Sequence, residues 1–116
     1  MADPISVPPA QASTMVVALP AEIDKDNARQ VRQQLYSALA TGAAVVVADM
    51  TATMFCDSMG CRALVMAHQH ARAGHAELRL AIPSVTVLRV MALMRMDSVL
   101  RIYPSLNAAL AGDPPG

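Results

Sequence analysis

Residues 45–64 read VVVADMTATMFCDSMGCRAL. The stretch begins with Val45, Val46 and Val47, β-branched residues that suit a pleated, buried strand. It passes Asp49, Met50, Thr51 and a short loop. It then reaches Phe55-Cys56-Asp57-Ser58-Met59-Gly60, after which the apolar positions recur at helical spacing. A buried strand that leads into a helix start leaves one small hydroxyl, that of Ser58, at the junction.

Working outward, Ala43–Met50 reads as the central strand. Its unbroken apolar character means that both faces are covered, as in a strand flanked by helices. Ser58–Ala73 reads as a helix with Cys61, Leu64, Val65, His68 and Ala71 or Arg72 inward, ended by Gly74. Glu77–Ile82 alternates, with Leu78, Leu80 and Ile82 on one side and Arg79 and Ala81 on the other, the pattern of a strand. Pro83 stops it, and Ser84 caps a third helix carrying Val85, Leu88, Met91 and Ala92 inward. Val99–Ile102 is expected as a last short strand. Pro104 is expected in the first turn of a small helix through Ala111, followed by a frayed tail.

Toward the amino end, Thr14–Leu19 is a strand closed by Pro20. Asp24 offers an N-cap and Asp26 a first-turn carboxylate for a helix over Lys25–Thr41. Ala28, Val31, Leu35, Ala38 and Leu39 form its buried stripe, and Gly42 is its left-handed stop. Met1–Ser13 holds three prolines and reads as a loose leader with an edge strand at Ile5–Val7. The division is a leader over 1–13 and one domain over 14–112. Strands alternating with helices imply crossover connections and a mostly parallel sheet. The fold class is therefore α/β, with about four strands and about four helices on one face.

The 116 residues suffice for one core. No apolar run approaches the ~20 residues that span a bilayer, and the start lacks the basic and apolar segments of a signal peptide. The reading is a soluble cytoplasmic protein without a membrane partner. Nine basic and nine acidic residues balance, and no basic stripe with interleaved aromatics points to nucleic acid. Cys56 and Cys61 have no second pair to make a zinc site. They are expected as free, semi-buried thiols, and a disulfide joining a loop to the first turns of a helix is not expected.

Catalysis finds little support. The sequence has no phosphate-binding glycine loop and no G-x-S-x-G. A serine nucleophile needs a base, and His68 lies roughly 15 Å along the helix from Ser58 at about 1.5 Å per residue. His68 and His70 point to different sides of a helix and His75 lies beyond Gly74, so no metal pair forms. A buried or half-buried His68 with exposed His70 and His75 is expected, with no cofactor. Ser58 has two readings. As a helix cap it contributes about 1 kcal/mol. As a phosphoacceptor it would gain roughly −1.5 to −2 charges beside Asp57, with Cys56, Met59 and Met54 as an apolar surround lacking a paired cation. Gly60 keeps the approach open for a partner backbone. Nine methionines are many for so small a core. Part of the Met91, Met94 and Met96 cluster, and of the Met54 and Met59 pair, is expected at a contact surface.

Three segments in order carry a family resemblance. Ala21-Glu22-Ile23-Asp24 with Asn27, then Asp49-Met50-Thr51, then Phe55-Cys56-Asp57-Ser58-Met59-Gly60 resemble the acidic loop, D-[LM]-[ST] segment and F-x-D-S-x-G turn of bacterial STAS domains of the anti-sigma factor antagonist type. The resemblance covers about Thr14 to Leu110. It implies that Ser58 is phosphorylated by a partner, an anti-sigma factor with a histidine-kinase-like ATPase fold. The unmodified antagonist binds that partner and frees the sigma factor; phosphorylation breaks the complex and a serine phosphatase resets it. It also implies that Asp24, Asn27 and Asp57 help form the docking surface. This chain departs from the family at Ala21, Met59 and Arg62, and its first strand is short or replaced by the leader. The same resemblance admits a subunit of a lipid ABC-transport complex or a stressosome-like scaffold. The sequence leaves a homodimer open.

Overall fold

The computed structural model describes residues 13–112; the edge strand expected at Ile5–Val7 lies outside them. Four parallel strands form the main sheet: β1 (Thr14–Ala18), β3 (Val45–Asp49), β5 (Glu77–Ala81) and β6 (Arg101–Tyr103), in the spatial order β1-β3-β5-β6. The register runs Thr14↔Val45 to Ala18↔Asp49, Val45↔Glu77 to Asp49↔Ala81, and Arg79↔Arg101 to Ala81↔Tyr103. Three helices bridge successive strands: α1 (Ala28–Ala40), α2 (Ser58–Ala73) and α3 (Val85–Leu93). A 3-10 turn, Met96–Ser98, precedes β6, and α4 (Leu106–Ala111) ends the order.

The sheet grows always in one direction. Crossovers of the favoured right hand, repeated in one direction, fall on one face. Val46 and Ala48 of β3, Leu78 and Leu80 of β5, Val31 and Leu35 of α1, and Leu64 and Ala67 of α2 share the main core there. The opposite face carries Val47, Ala81 and Tyr103, covered by Ala109 of α4. The helices therefore do not all lie on one face, as the sequence reading had it. The reason is the run of valines: a β3 apolar on both sides needs a cover on both. Arg79 faces that second side. Its guanidinium donates to the Ala109 carbonyl at 2.9 Å and to the Glu77 carboxylate at 2.8 Å, which places a cation at the carbonyl end of α4.

Several boundaries differ from the sequence reading for local reasons. α1 begins at Ala28, because Asp24 and the following residues form a separate turn instead of a cap. Gly42 does take the left-handed conformation, with φ +87°. Past α2 it is His75 that does so, at φ 61°. In α3, Ser84 caps as expected by accepting from the Val87 amide at 3.2 Å. Its buried residues are Val87 and Met91, with Leu88, Val90 and Met94 partly buried, while Val85 and Ala92 face outward. Pro104 precedes α4, whose cap is Ser105, accepting from the Ala108 amide at 3.0 Å. No helix among the described residues is long and apolar enough to cross a membrane.

Candidate functional site

Two segments too short to read from sequence assemble the site. β2 (Glu22–Ile23) pairs in parallel with β4 (Phe55–Cys56) beyond the carboxyl ends of the main strands. The Ala21 carbonyl accepts from the Met54 amide at 2.8 Å, and the Ile23 carbonyl from the Asp57 amide at 3.0 Å. This small ladder ties the loop ahead of α1 to the turn ahead of α2. Thr53, fully buried, adds a tie by donating its hydroxyl to the Pro20 carbonyl at 2.8 Å. Asp49 holds the start of the connection, its carboxylate accepting from both the Thr51 amide and the Thr51 hydroxyl.

The acidic loop is internally braced. The Asn27 amide group donates to the Glu22 carbonyl at 2.7 Å, and its oxygen accepts from the Asp24 backbone amide at 2.9 Å. The Asp24 carboxylate accepts from the Asp26 amide at 2.9 Å. Asn27 thus shapes the loop, and both residues remain half-exposed beside the Ser58 turn.

The cap of α2 is Asp57, not Ser58. Its carboxylate accepts from the Gly60 amide at 2.9 Å, and its carbonyl accepts from the Cys61 amide at 2.9 Å to begin the helix. Ser58 is the first helical residue, exposed, and its hydroxyl has no hydrogen-bond partner among the described residues. An anion at the helix start also complements the axial dipole. Asp57→Ala will therefore cost about 1 kcal/mol of stability, whereas Ser58→Ala will change it by less than about 0.5 kcal/mol. Urea unfolding of the two variants checks this, and the reverse order of costs would overturn the cap assignment.

Around the hydroxyl, Met54 is 64% exposed, Phe55 46% and Met59 48%. Three large apolar side chains thus stand in the open beside one polar group. Met91 does not stand with them. It is fully buried, with its sulfur 3.8 Å from the Cys61 sulfur, and Met94 is packed against the same core. α3 turns the Val87–Met91 stripe inward, and a flexible thioether fills the gap beside a small thiol.

The surround also has a cationic side that the sequence reading lacked. Lys25, Arg29, Arg32 and Arg62 line a shallow groove of about 210 Å³ between α1 and α2, with Met59 at its rim. Arg62 lies four residues beyond Ser58, on the same helical face. These charges are scattered in sequence, and only the packing of two helices collects them.

Gly60 sits where β2, β4 and α2 meet. A Cβ there would stand 2.7 Å from the Cys56 sulfur, 2.8 Å from Ile23 Cγ2 and 2.9 Å from the Ile23 carbonyl oxygen. Gly60 is buried, so its service is the close approach of β2 to α2 instead of access for a partner. Cys56 and Cys61 are both free, and both are fully buried.

The histidines stand apart from this junction. His68 is buried, while His70 and His75 are exposed; His70 stacks on Tyr36 at 4.3 Å between ring centroids. Burial, and then the neighbouring Arg72 and Arg101, push the His68 imidazole below its ordinary value. It lines an open cleft of about 820 Å³ with Arg72, Glu77 and Arg101 at the amino ends of the strands, the far end of α2 from Ser58. Among the described residues no group of three or more His, Cys, Asp or Glu could hold a metal ion.

The family model described as the STAS domain matches residues 7–109. No curated protein matches the chain. Among solved structures, an anti-sigma factor antagonist from Mycobacterium paratuberculosis is similar at 24% identity and a TM-score of 0.73, over 87% of this chain and 86% of that one. The anti-sigma factor antagonist SpoIIAA in its unphosphorylated form is similar at 21% identity and 0.67, over 83% and 84%. A sulfate transporter family protein from Wolinella succinogenes is similar at 17% identity and 0.69, over 85% and 83%. At these identities the likeness is one of fold.

Proposed function

Given that the chain belongs to the STAS domain family, we propose that it is an anti-sigma factor antagonist whose partner binding is switched by phosphorylation of Ser58. The unmodified chain docks on an anti-sigma factor with a histidine-kinase-like ATPase fold and so releases a sigma factor. That partner phosphorylates Ser58 and the complex parts; a serine phosphatase restores the free hydroxyl.

One observation carries the reading. Asp57 caps the helix by accepting from the Gly60 amide, and the Ser58 hydroxyl stands exposed with no hydrogen-bond partner among the described residues, next to the exposed Met54, Phe55 and Met59. A hydroxyl so placed is available to a kinase without loss of the fold. A phosphoryl group would bring roughly −1.5 to −2 charges into this apolar contact. The carboxylates of Asp24 and Asp57 border it and oppose the new charge. The helix start and Arg62 draw the phosphate back onto its own chain, away from the partner face. The part of that charge which these groups leave uncompensated would have to be buried against the partner, which opposes binding.

The experiment is incubation with the candidate kinase partner and ATP, read by mass spectrometry and by binding. One phosphoryl group on Ser58 is expected, absent in Ser58→Ala. Ser58→Ala should keep the partner, and Ser58→Asp should bind at least tenfold more weakly, about 1.4 kcal/mol. Equal binding by both variants would discard the switch in favour of a constant subunit of a lipid ABC-transport complex or a stressosome-like scaffold.

A further inference from the structure

Two thiols bracket the Ser58 turn, and nothing in the reading above uses them. Cys56 ends β4 and Cys61 lies in the first turns of α2, so that Asp57, Ser58, Met59 and Gly60 are the residues between them. Their sulfurs are 3.8 Å apart, both side chains are fully buried, and both thiols are free. The Cys56 sulfur also presses on the bare face of Gly60. The two sulfurs share a hydrogen bond. It holds the Cys61 thiol below its usual range, against the effect of burial, and it pushes Cys56 up, with burial acting the same way. Two free thiols whose sulfurs already touch let an oxidation at one be resolved by the other into a disulfide.

We propose that Cys56 and Cys61 are an oxidation site, which a peroxide-class oxidant closes into an intramolecular disulfide spanning the turn that carries Ser58. The Cys61 thiolate attacks one peroxide oxygen; the O–O bond breaks, leaving a sulfenic acid and hydroxide. The Cys56 sulfur then attacks the Cys61 sulfur, the S–O bond breaks, and the departing hydroxide takes up the Cys56 proton as water. In sum two thiols lose two electrons and two protons, and one peroxide becomes two waters. The sulfurs must close from 3.8 Å to about 2.05 Å. Both sulfurs are buried, so a small oxidant would reach them when the first turn of α2 opens, beside the exposed Ser58 and Met59; helix ends open most readily. The proposal concerns the thiols alone and stands whether or not Ser58 is ever phosphorylated.

The test treats the full chain with hydrogen peroxide and then cleaves before aspartate. That separates residues 49–56, holding Cys56, from residues 57–96, holding Cys61. The two peptides are expected to stay joined until a reductant is added, and Cys56→Ser and Cys61→Ser chains to give no joined product. The amide resonances of Ser58 and Gly60 should move on bridging and return on reduction. Oxygen added to methionine is read separately by mass, with Met54 and Met59 as internal markers that oxidant was present. Thiols that stay reduced while those methionines oxidise would overturn the proposal. So would Cys61 stopping at a sulfinic acid, or a bridge that links two chains.

Discussion

Gly60→Ala will lower the stability of the domain by about 2 kcal/mol, a fall of roughly 8–10 °C in Tm for a chain of this size. In an open helix the same change would help, since alanine is better than glycine by about 1 kcal/mol. Here the added methyl would stand 2.7–2.9 Å from the Cys56 sulfur, Ile23 Cγ2 and the Ile23 carbonyl oxygen. All three belong to a buried junction, and one is backbone held by the Asp57 amide at 3.0 Å. Overpacking of such a site costs about 1–3 kcal/mol, so the clash outweighs the helical gain. Calorimetric melting of the variant measures it. A neutral or raised Tm would mean that β2 and α2 separate without cost, and that the Ser58 turn is not fixed by its neighbours.

The second large effect separates two groups of methionines. Met91→Ala will cost about 2–5 kcal/mol, the usual range for emptying a fully buried site. Met54→Ala and Met59→Ala will each shift stability by less than about 0.5 kcal/mol, because both side chains are in the open. On the proposed function the last two should instead weaken partner binding, together by about tenfold or more. Denaturation and titration of the same three variants give both readouts. A Met91→Ala chain of normal stability, or Met54→Ala and Met59→Ala chains that unfold early, would reverse the assignment.

The methionines also show where sequence reading stops. Composition said that nine were too many for the core, which is right for Met54 and Met59, but it could not phase α3. Val85, Leu88, Met91 and Ala92 make a plausible stripe, and so do Val87, Met91 and Met94. Only contact with Cys61 and the sheet selects the second. β3 and α2 were legible because their signals are long: three valines in a row, and a helical spacing sustained from Cys61 to Ala71. The β2–β4 ladder was not, since two residues a side carry no period and the pairing is set by main-chain bonds. The cap failed for a related reason. Asp57 and Ser58 are both good caps, and one residue of phase decides which side chain turns back toward the Gly60 amide. The basic groove was hidden because Lys25, Arg29, Arg32 and Arg62 are neighbours only once α1 lies against α2.

The strand order has a bearing on how the chain is made. Because β1, β3, β5 and β6 lie in space as they lie in sequence, each new strand adds to an outer edge and none must be threaded between two that are already paired. Growth can keep pace with a ribosome, which supplies about 5–20 residues per second. After β5 emerges its outer backbone awaits Arg101–Tyr103, an interval of roughly one to four seconds at that rate. The nascent sheet is complete on its inner side before the last helix arrives to shelter Val47 and Ala81.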